Sequence, residues 1–406
     1  MTTMNGTPAS TASMVQTTRY NHAIGYLRAF IVALVIAHHA VLAYHPFAPP
    51  PPASLVPQPR WWEAFPVVDA HRWSGFSIFV GFNDTFFMSL MFFLSGLFVW
   101  QGLVRKGTAK FLRDRLLRLG LPFVVASAVL APLAYYPTYL QPPGHSGFVG
   151  FWSQWISLGQ WPAGPAWFVW VLFVFDSIAA LLFVVAPKWG EALGALTSGA
   201  SRRPRIFFAA LIAISALAYI PMALHFGPGA WAAFGPFTFQ TSRIFHYLTY
   251  FLIAVGIGAF SLDRGLLAPD GKLAGRWALW VVAALVLFGA TIVATLMAFT
   301  PGPQAQKWGI AMDAGFVLSC AGSCFAFLAL FLRFSRSRSQ FFGSLSENSY
   351  GIYLVHYAFV SWLQYALLTT PLPAIVKAGI VFVCALGLSW ETAVTLRRIP
   401  AVGRIV

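Results

Sequence analysis

The chain has 406 residues, of which 58% are hydrophobic and only 9% charged, and its mean hydropathy is +0.71. A soluble domain carries about 25% charged residues, so this composition excludes one and defines an integral membrane protein. A net charge of +15 raises nucleic acid as a partner, but the placement of the basic residues along the chain accounts for that charge without one.

Residues 1–19 are rich in Thr and Ser, carry Arg19 as their one charge and read as a disordered cytoplasmic tail. The apolar run that follows is long enough to span a bilayer. No small-residue cleavage site comes after it, so it reads as a retained first helix and not a signal peptide. About ten runs approach the ~20 residues that a bilayer core requires. They lie near 22–44, 76–100, 119–140, 165–186, 206–224, 242–260, 277–299, 310–332, 349–368 and 374–395. The expected fold is all-α: a polytopic integral membrane protein with these helices in one bundle. One membrane-embedded domain then covers 20–396, and a short cytoplasmic tail covers 397–406. Pro122, Pro165 and Pro204 fall at or near helix starts, where a missing N–H costs little. Pro132 falls inside the third run and predicts a kink. Cys320, Cys324 and Cys384 all lie in apolar runs without a CxxC pair. They read as packing residues, with no disulfide framework and no metal site.

With both termini in the cytoplasm, every basic residue except Arg60, Arg72, Arg243, Lys307 and Lys377 falls on the cytoplasmic side. Cytoplasmic loops concentrate Lys and Arg, so this bias sets the orientation in an inner membrane. The longest outer loop, about 45–75, holds a proline run that favours a stiff extended conformation. Its role is open at this stage. A second outer loop, about 141–164, carries Trp152, Trp155 and Trp161, which read as interfacial anchors, with aromatic platforms for a sugar as the alternative. No repeat of 20–50 residues and no inverted pair of Gly/Pro-broken helices is visible.

Ionisable residues inside spanning helices are costly and usually mark function. Arg28 and His39 lie eleven residues apart in the first run. That is three turns plus about 20°, so they share one face about 16 Å apart along the axis. Imidazole titrates near neutral pH and can accept a hydroxyl proton as a general base. The neighbouring His38 points about 100° away. A His in a membrane helix can also simply bond a neighbouring helix. After the second run, which ends Phe92-Phe93-Leu94-Ser95-Gly96, comes a basic segment containing Lys106, Lys110, Arg113, Asp114, Arg115 and Arg118. Arg115 and Arg118 are at i, i+3, and two convergent guanidiniums suit phosphate. From charge alone, a topological cluster touching anionic lipid is the preferred reading. Asp114 and Arg118 are also spaced as an i, i+4 pair.

Asp84, Arg243, His246 and Asp313 lie near the outer ends of helices and together define a possible outward polar pocket. Each alone reads as an interfacial residue. Asp176, near mid-membrane, demands a buried partner. His356 lies seven residues after Ser349, on nearly the same face, and suits a site or a helix brace equally. P-loop, dinucleotide, G-x-S-x-G and H-E-x-x-H motifs are absent.

The Arg28–x10–His39 pair, Phe92-Phe-Leu-Ser-Gly96 with Arg115-Leu-Leu-Arg118, Ala166-Trp167-Phe168-Val169, and Ser349-Tyr-Gly-Ile-Tyr-Leu-Val-His356 occur in that order over about 20–395. In this the chain resembles the family 3 membrane acyltransferases, which include glycan O-acetyltransferases and the glucan-succinylating protein C group. The resemblance implies a ten-helix membrane acyltransferase with no tightly bound cofactor. It implies acyl-coenzyme A as cytoplasmic donor and a hydroxyl of an extracytoplasmic glycan or lipid-linked sugar as acceptor. His39 and Arg28 become the expected catalytic residues, and Arg115 and Arg118 the expected donor site. His356, Trp167, Asp84, Arg243 and His246 are further candidates. Membrane lipids are the remaining partners. No appended outer domain is expected, so the acceptor is expected on the membrane domain or its loops. The rival class is a proton-coupled transporter or flippase with His39, Asp176 and His356 as a relay. A scaffold without chemistry explains neither the His nor the Arg stripe.

Overall fold

The computed structural model describes residues 22–145 and 147–405; the tail expected at 1–19 lies outside the described residues. All ten expected runs are helical. Eight of the helices are long and apolar enough to cross a membrane: α1 (His22–Leu42), α2 (Gly75–Lys106), α3 (Thr108–Leu140), α5 (Gly164–Val185), α7 (Pro204–Phe226), α9 (Trp277–Ala298), α10 (Ala305–Phe334) and α12 (Ala374–Arg397). The two other runs fall short for different reasons. Helix α8 (Ile244–Phe260) is apolar but has only 17 residues. Helix α11 (Gln340–Ala366) has 27 residues, but Ser346, Asn348, Ser349, His356, Ser361 and Gln364 among them are polar and buried. Two shorter helices, α4 (Phe148–Ser157) and α6 (Trp189–Ser198), lie between spans. The strands described are one antiparallel hairpin, β1 (Trp231–Phe234) and β2 (Phe237–Gln240), with Trp231 opposite Gln240.

Helix boundaries differ from expectation where polar residues hide helical propensity. The third helix begins at Thr108, well before the expected start near 119, because the basic segment is itself helical. Helix α11 likewise begins at Gln340 and not near 349. The distortion expected at Pro132 takes the form of a widened turn. Helix α3 has π-helical turns at Leu116–Gly120 and Ala126–Leu130, each ending just before a Leu-Pro or Ala-Pro step at Pro122 or Pro132. A proline ring clashes with the carbonyl four residues back and offers it no N–H. A π turn shifts the hydrogen-bond ladder by one residue there and relieves both problems.

Helix α1 is central, packed against α2, α10, α11 and α12, while α2 also packs on α8. The α2–α8 contact depends on glycine. A Cβ on Gly258 would sit 1.9 Å from the Leu97 carbonyl oxygen, and one on Gly96 would sit 2.4 Å from that of Phe251. Membrane helices approach this closely only over small residues, because lipid supplies no hydrophobic drive to hold larger ones together. By contrast α7 and α9 bury few residues and show a lipid-type surface of Leu, Val and Ile.

Candidate active site

The site forms along the seam between α1 and α11. On α1, the Tyr26 hydroxyl donates to the Ser339 carbonyl and accepts from the Ser339 N–H, and Arg28 donates to the Ser346 carbonyl at 3.3 Å. One end of the seam is closed by Gln364, whose amide donates to the carbonyls of His39 and Ala40. Partners that rise together in both sequences make the two helices parallel. The Arg28–His39 face therefore lies against α11, and each stripe residue meets its own partner on it.

His39 meets His356. The Nδ1 of His39 and the Nε2 of His356 are 3.2 Å apart, and the Nδ1 of His356 is 2.5 Å from the Tyr353 carbonyl oxygen. A carbonyl can only accept, so His356 Nδ1 carries the proton. In a neutral imidazole the other nitrogen is then an acceptor, so His39 Nδ1 donates to His356 Nε2. His39 Nε2 is left with its lone pair. His356 is completely buried and His39 half-buried, with the Tyr357 ring edge-on at 4.9 Å. His38 points elsewhere, onto Phe87 of α2 at 5.1 Å between ring centroids.

The tyrosines of α11 extend this seam in both directions. Tyr350, Tyr353 and Tyr357 follow the i, i+3, i+7 spacing of one helix face. Their hydroxyls donate to the carbonyls of Arg118, Pro165 and Glu63 respectively, so α11 is bonded to α3, to the start of α5 and to the loop after α1. A narrow cleft, lined largely by alanines such as Ala126, Ala163 and Ala166, runs beside Tyr353 and Tyr357.

At the end of the seam near the start of α1, the two arginines of α3 have different surroundings. The Arg115 Nε is 3.1 Å from an Asp176 carboxylate oxygen, and its guanidinium lies over the Phe111 ring. The partner that Asp176 requires is thus Arg115, since a fully buried carboxylate needs a counter-charge. Arg115 and Arg118 do not form an equivalent free pair. The Arg118 side chain is exposed and makes no ion pair among the described residues. Asp114 pairs with Lys106 and not with Arg118. Arg397 donates to Asn348 on the same side of α11.

At the opposite end, the proline-rich loop folds over the seam as an irregular chain with one 3-10 turn at Trp61–Glu63. A fully buried ion pair, Lys377 Nζ to Asp69 at 2.7 Å, ties it to α12. Asp69 also accepts from the backbone and ring of His71. Gln141 exchanges two hydrogen bonds with the Val68 backbone, and Arg60 donates to Gln160 and to the Leu158 carbonyl. Both Tyr135 and Tyr357 donate to the Glu63 carbonyl.

The other sequence candidates form separate neighbourhoods. Arg243 donates to the Asp84 carboxylate at 2.7 Å and to the Asp84 carbonyl, with its guanidinium over Phe316. His246 lies 3.4 Å from the Cys320 sulfur, and Tyr219 donates to Asp313. These four candidates converge, but as a bonded cluster joining α2, α7, α8 and α10 and not as lining of the His39 seam. Trp167 packs on Trp231 and Tyr247, while its neighbour Phe168 meets Tyr353 edge-on. The loop tryptophans are not surface anchors alone: Trp155 is fully buried in an aromatic cluster with Trp62, Tyr135 and Phe151. Cys320 and Cys324 are buried, whereas Cys384 is exposed, against the expectation that all three pack inside. Among the described residues no group of three or more His, Cys, Asp or Glu side chains converges as a metal site would. Tyr357 and Glu63 escaped the sequence reading. The spacing from Tyr350 and Tyr353 could have found Tyr357; nothing in the loop sequence marks Glu63.

Eight helices long and apolar enough to cross a membrane define a multi-pass membrane protein, and the His39–His356 contact joins two helices of its bundle. The acyltransferase-domain family model of the family 3 acyltransferases matches residues 21–394, and the chain belongs to that family. It is therefore an acyltransferase of groups other than amino-acyl groups. No curated protein and no solved structure matches it.

Proposed function

We propose that the protein moves a short acyl group, acetyl or succinyl, from acyl-coenzyme A to a hydroxyl of a glycan or lipid-linked sugar on the far side of an inner membrane. The observation that carries this reading is the line from the Tyr353 carbonyl through His356 to His39, because it leaves one basic nitrogen, His39 Nε2, half-buried and oriented. In the step we propose, the acceptor hydroxyl oxygen attacks the thioester carbonyl carbon while His39 Nε2 takes the hydroxyl proton. The new C–O ester forms and the C–S bond breaks. Coenzyme A departs as the thiol with the proton returned by His39. His356 accepts from His39 Nδ1 throughout, so the imidazolium formed midway keeps its hydrogen bond; positioned general bases of this kind contribute about 10²–10⁴-fold.

The donor reading rests on the exposed Arg118 and on Arg28, both on the side where α1 begins. Charge-assisted bonds from guanidinium to phosphate are strong, and both arginines meet α11 ahead of His356, Arg28 by donating to the Ser346 carbonyl and Arg118 by accepting at its carbonyl from Tyr350. A thioester arm and polar backbone are compatible with membrane depth only inside protein or water, and the seam supplies protein on both sides. Both termini are cytoplasmic in this reading, on the basic asymmetry of the loops.

Purified protein in detergent, given radiolabelled acetyl- or succinyl-coenzyme A, should bind donor and release coenzyme A. The absence of both would overturn the proposal. Reporters active only outside the cytoplasm should be active when fused after His45 or Gly144 and silent after Lys106 or Arg336; the reverse pattern would overturn the orientation.

A further inference from the structure

The loop after α1 presents two adjacent tryptophans in opposite ways. Trp62 is buried, its indole N–H bonded to the Leu55 carbonyl, and it packs on Tyr135 and Trp155. Trp61 is 59% exposed. Packing therefore accounts for Trp62 and leaves Trp61 unexplained. The next residue, Glu63, is half-buried, and its main-chain carbonyl accepts from Tyr135 at 2.9 Å and from Tyr357 at 3.4 Å. Its carboxylate lies within electrostatic range of both phenols, and Tyr357 is the residue whose ring meets His39. One phenol thus separates the Glu63 backbone from the basic nitrogen's ring. No hydrogen bond among the described residues engages the Glu63 carboxylate, and burial pushes its carboxyl up from the ordinary value, with the Arg60 charge opposing. The neighbouring Arg60 is committed to Gln160 and Leu158.

The Glu63 carboxylate has no protein donor among the described residues and its oxygens are not sealed from the surface, so a ligand hydroxyl can reach and bond them. An exposed indole face next to a hydrogen-bond acceptor suits a ligand with an apolar ring face and a rim of hydroxyls. We infer that Trp61 and Glu63 form the acceptor subsite and take a sugar ring, Trp61 against its C–H face and Glu63 accepting from its hydroxyls, which brings one hydroxyl to His39. The inference rests on the proposed acyl transfer and assigns the loop's function: the Lys377–Asp69, Gln141–Val68 and Arg60–Leu158 ties hold this subsite over the seam.

The test uses the full chain in membranes of permeabilised bacterial cells supplied with radiolabelled acetyl- and succinyl-coenzyme A. Label is counted in alkali-labile esters on cell-envelope saccharide, and donor affinity is measured on the same membranes. Glu63→Gln keeps the backbone carbonyl and the side-chain size; Trp61→Ala removes the exposed face. Each variant should lose tenfold or more of saccharide labelling, with donor affinity within twofold of the wild type. Labelling within twofold of wild type in both variants would overturn the subsite. Parallel loss of labelling and donor affinity would also overturn it, making the loop a structural brace. If the wild type esterifies only non-saccharide material, the sugar assignment fails while acyl transfer stands. If the wild type neither labels any acceptor nor binds donor, the proposed function fails and this inference with it.

Discussion

Two of the polar clusters among the described residues differ in how their groups are matched. In the cluster of α2, α8 and α10, Arg243 and Asp84 neutralise each other at 2.7 Å, Phe316 covers the guanidinium and His246 rests against Cys320. Charge is matched inside the protein, and the bonds run between helices. On the α1–α11 seam, the His39–His356 pair carries no charge partner, and its direction of donation ends on a free lone pair. A matched cluster stabilises a helix junction; an unmatched, oriented one can take up a proton.

The largest effect that would test this contrast comes from His39→Ala. Acyl transfer should fall by about 10²–10⁴-fold while donor affinity stays near wild type, as read from product formation and donor binding on one preparation. His356→Ala should lose less, because it removes the orientation of His39 and not the base itself; a His356→Ala loss larger than that of His39→Ala would transfer the base to α11. The converse substitution, Arg243→Ala, should destabilise the protein by about 1.5–3 kcal/mol through the broken charge-assisted bonds. It should appear as earlier thermal unfolding in detergent, with donor affinity of the folded fraction unchanged. A stable variant with weakened catalysis would place Arg243 in the site.

A smaller contrast concerns the two arginines of α3. Arg118→Ala should weaken donor binding by about tenfold or more, the equivalent of losing about 1.5–3 kcal/mol of phosphate bonding. Arg115→Ala should weaken it too, but with a loss of stability as well, since it strands the buried Asp176. Equal donor affinity in Arg118→Ala and wild type would return that arginine to a lipid-facing role. The smallest effect is expected from His38→Ala, which should stay within a few fold of wild-type transfer, because His38 packs on Phe87 and not on the seam.

Much of this was legible in the chain. Composition and run length determine a multi-pass α-helical membrane protein, because a bilayer leaves backbone polar groups no partner but their own helix. The spacing of Arg28 and His39 places them on one face, and the Ser349–His356 stretch offers its histidine on another. What the sequence could not rank was the partner of each polar side chain. Arg115 reads as Arg118's twin until Asp176, on a different helix, claims it. Arg243 and His246 read as pocket lining until Asp84 and Cys320 close around them. Helix α11 hides behind its own polarity, and α3 behind a basic segment that is helical all the same. Local spacing is set by the 3.6-residue turn and is written in the order of residues. Which of two equivalent histidines or arginines keeps a free group is decided by contacts between residues as far apart as His39 and His356, and only the tertiary packing of α1 on α11 fixes those.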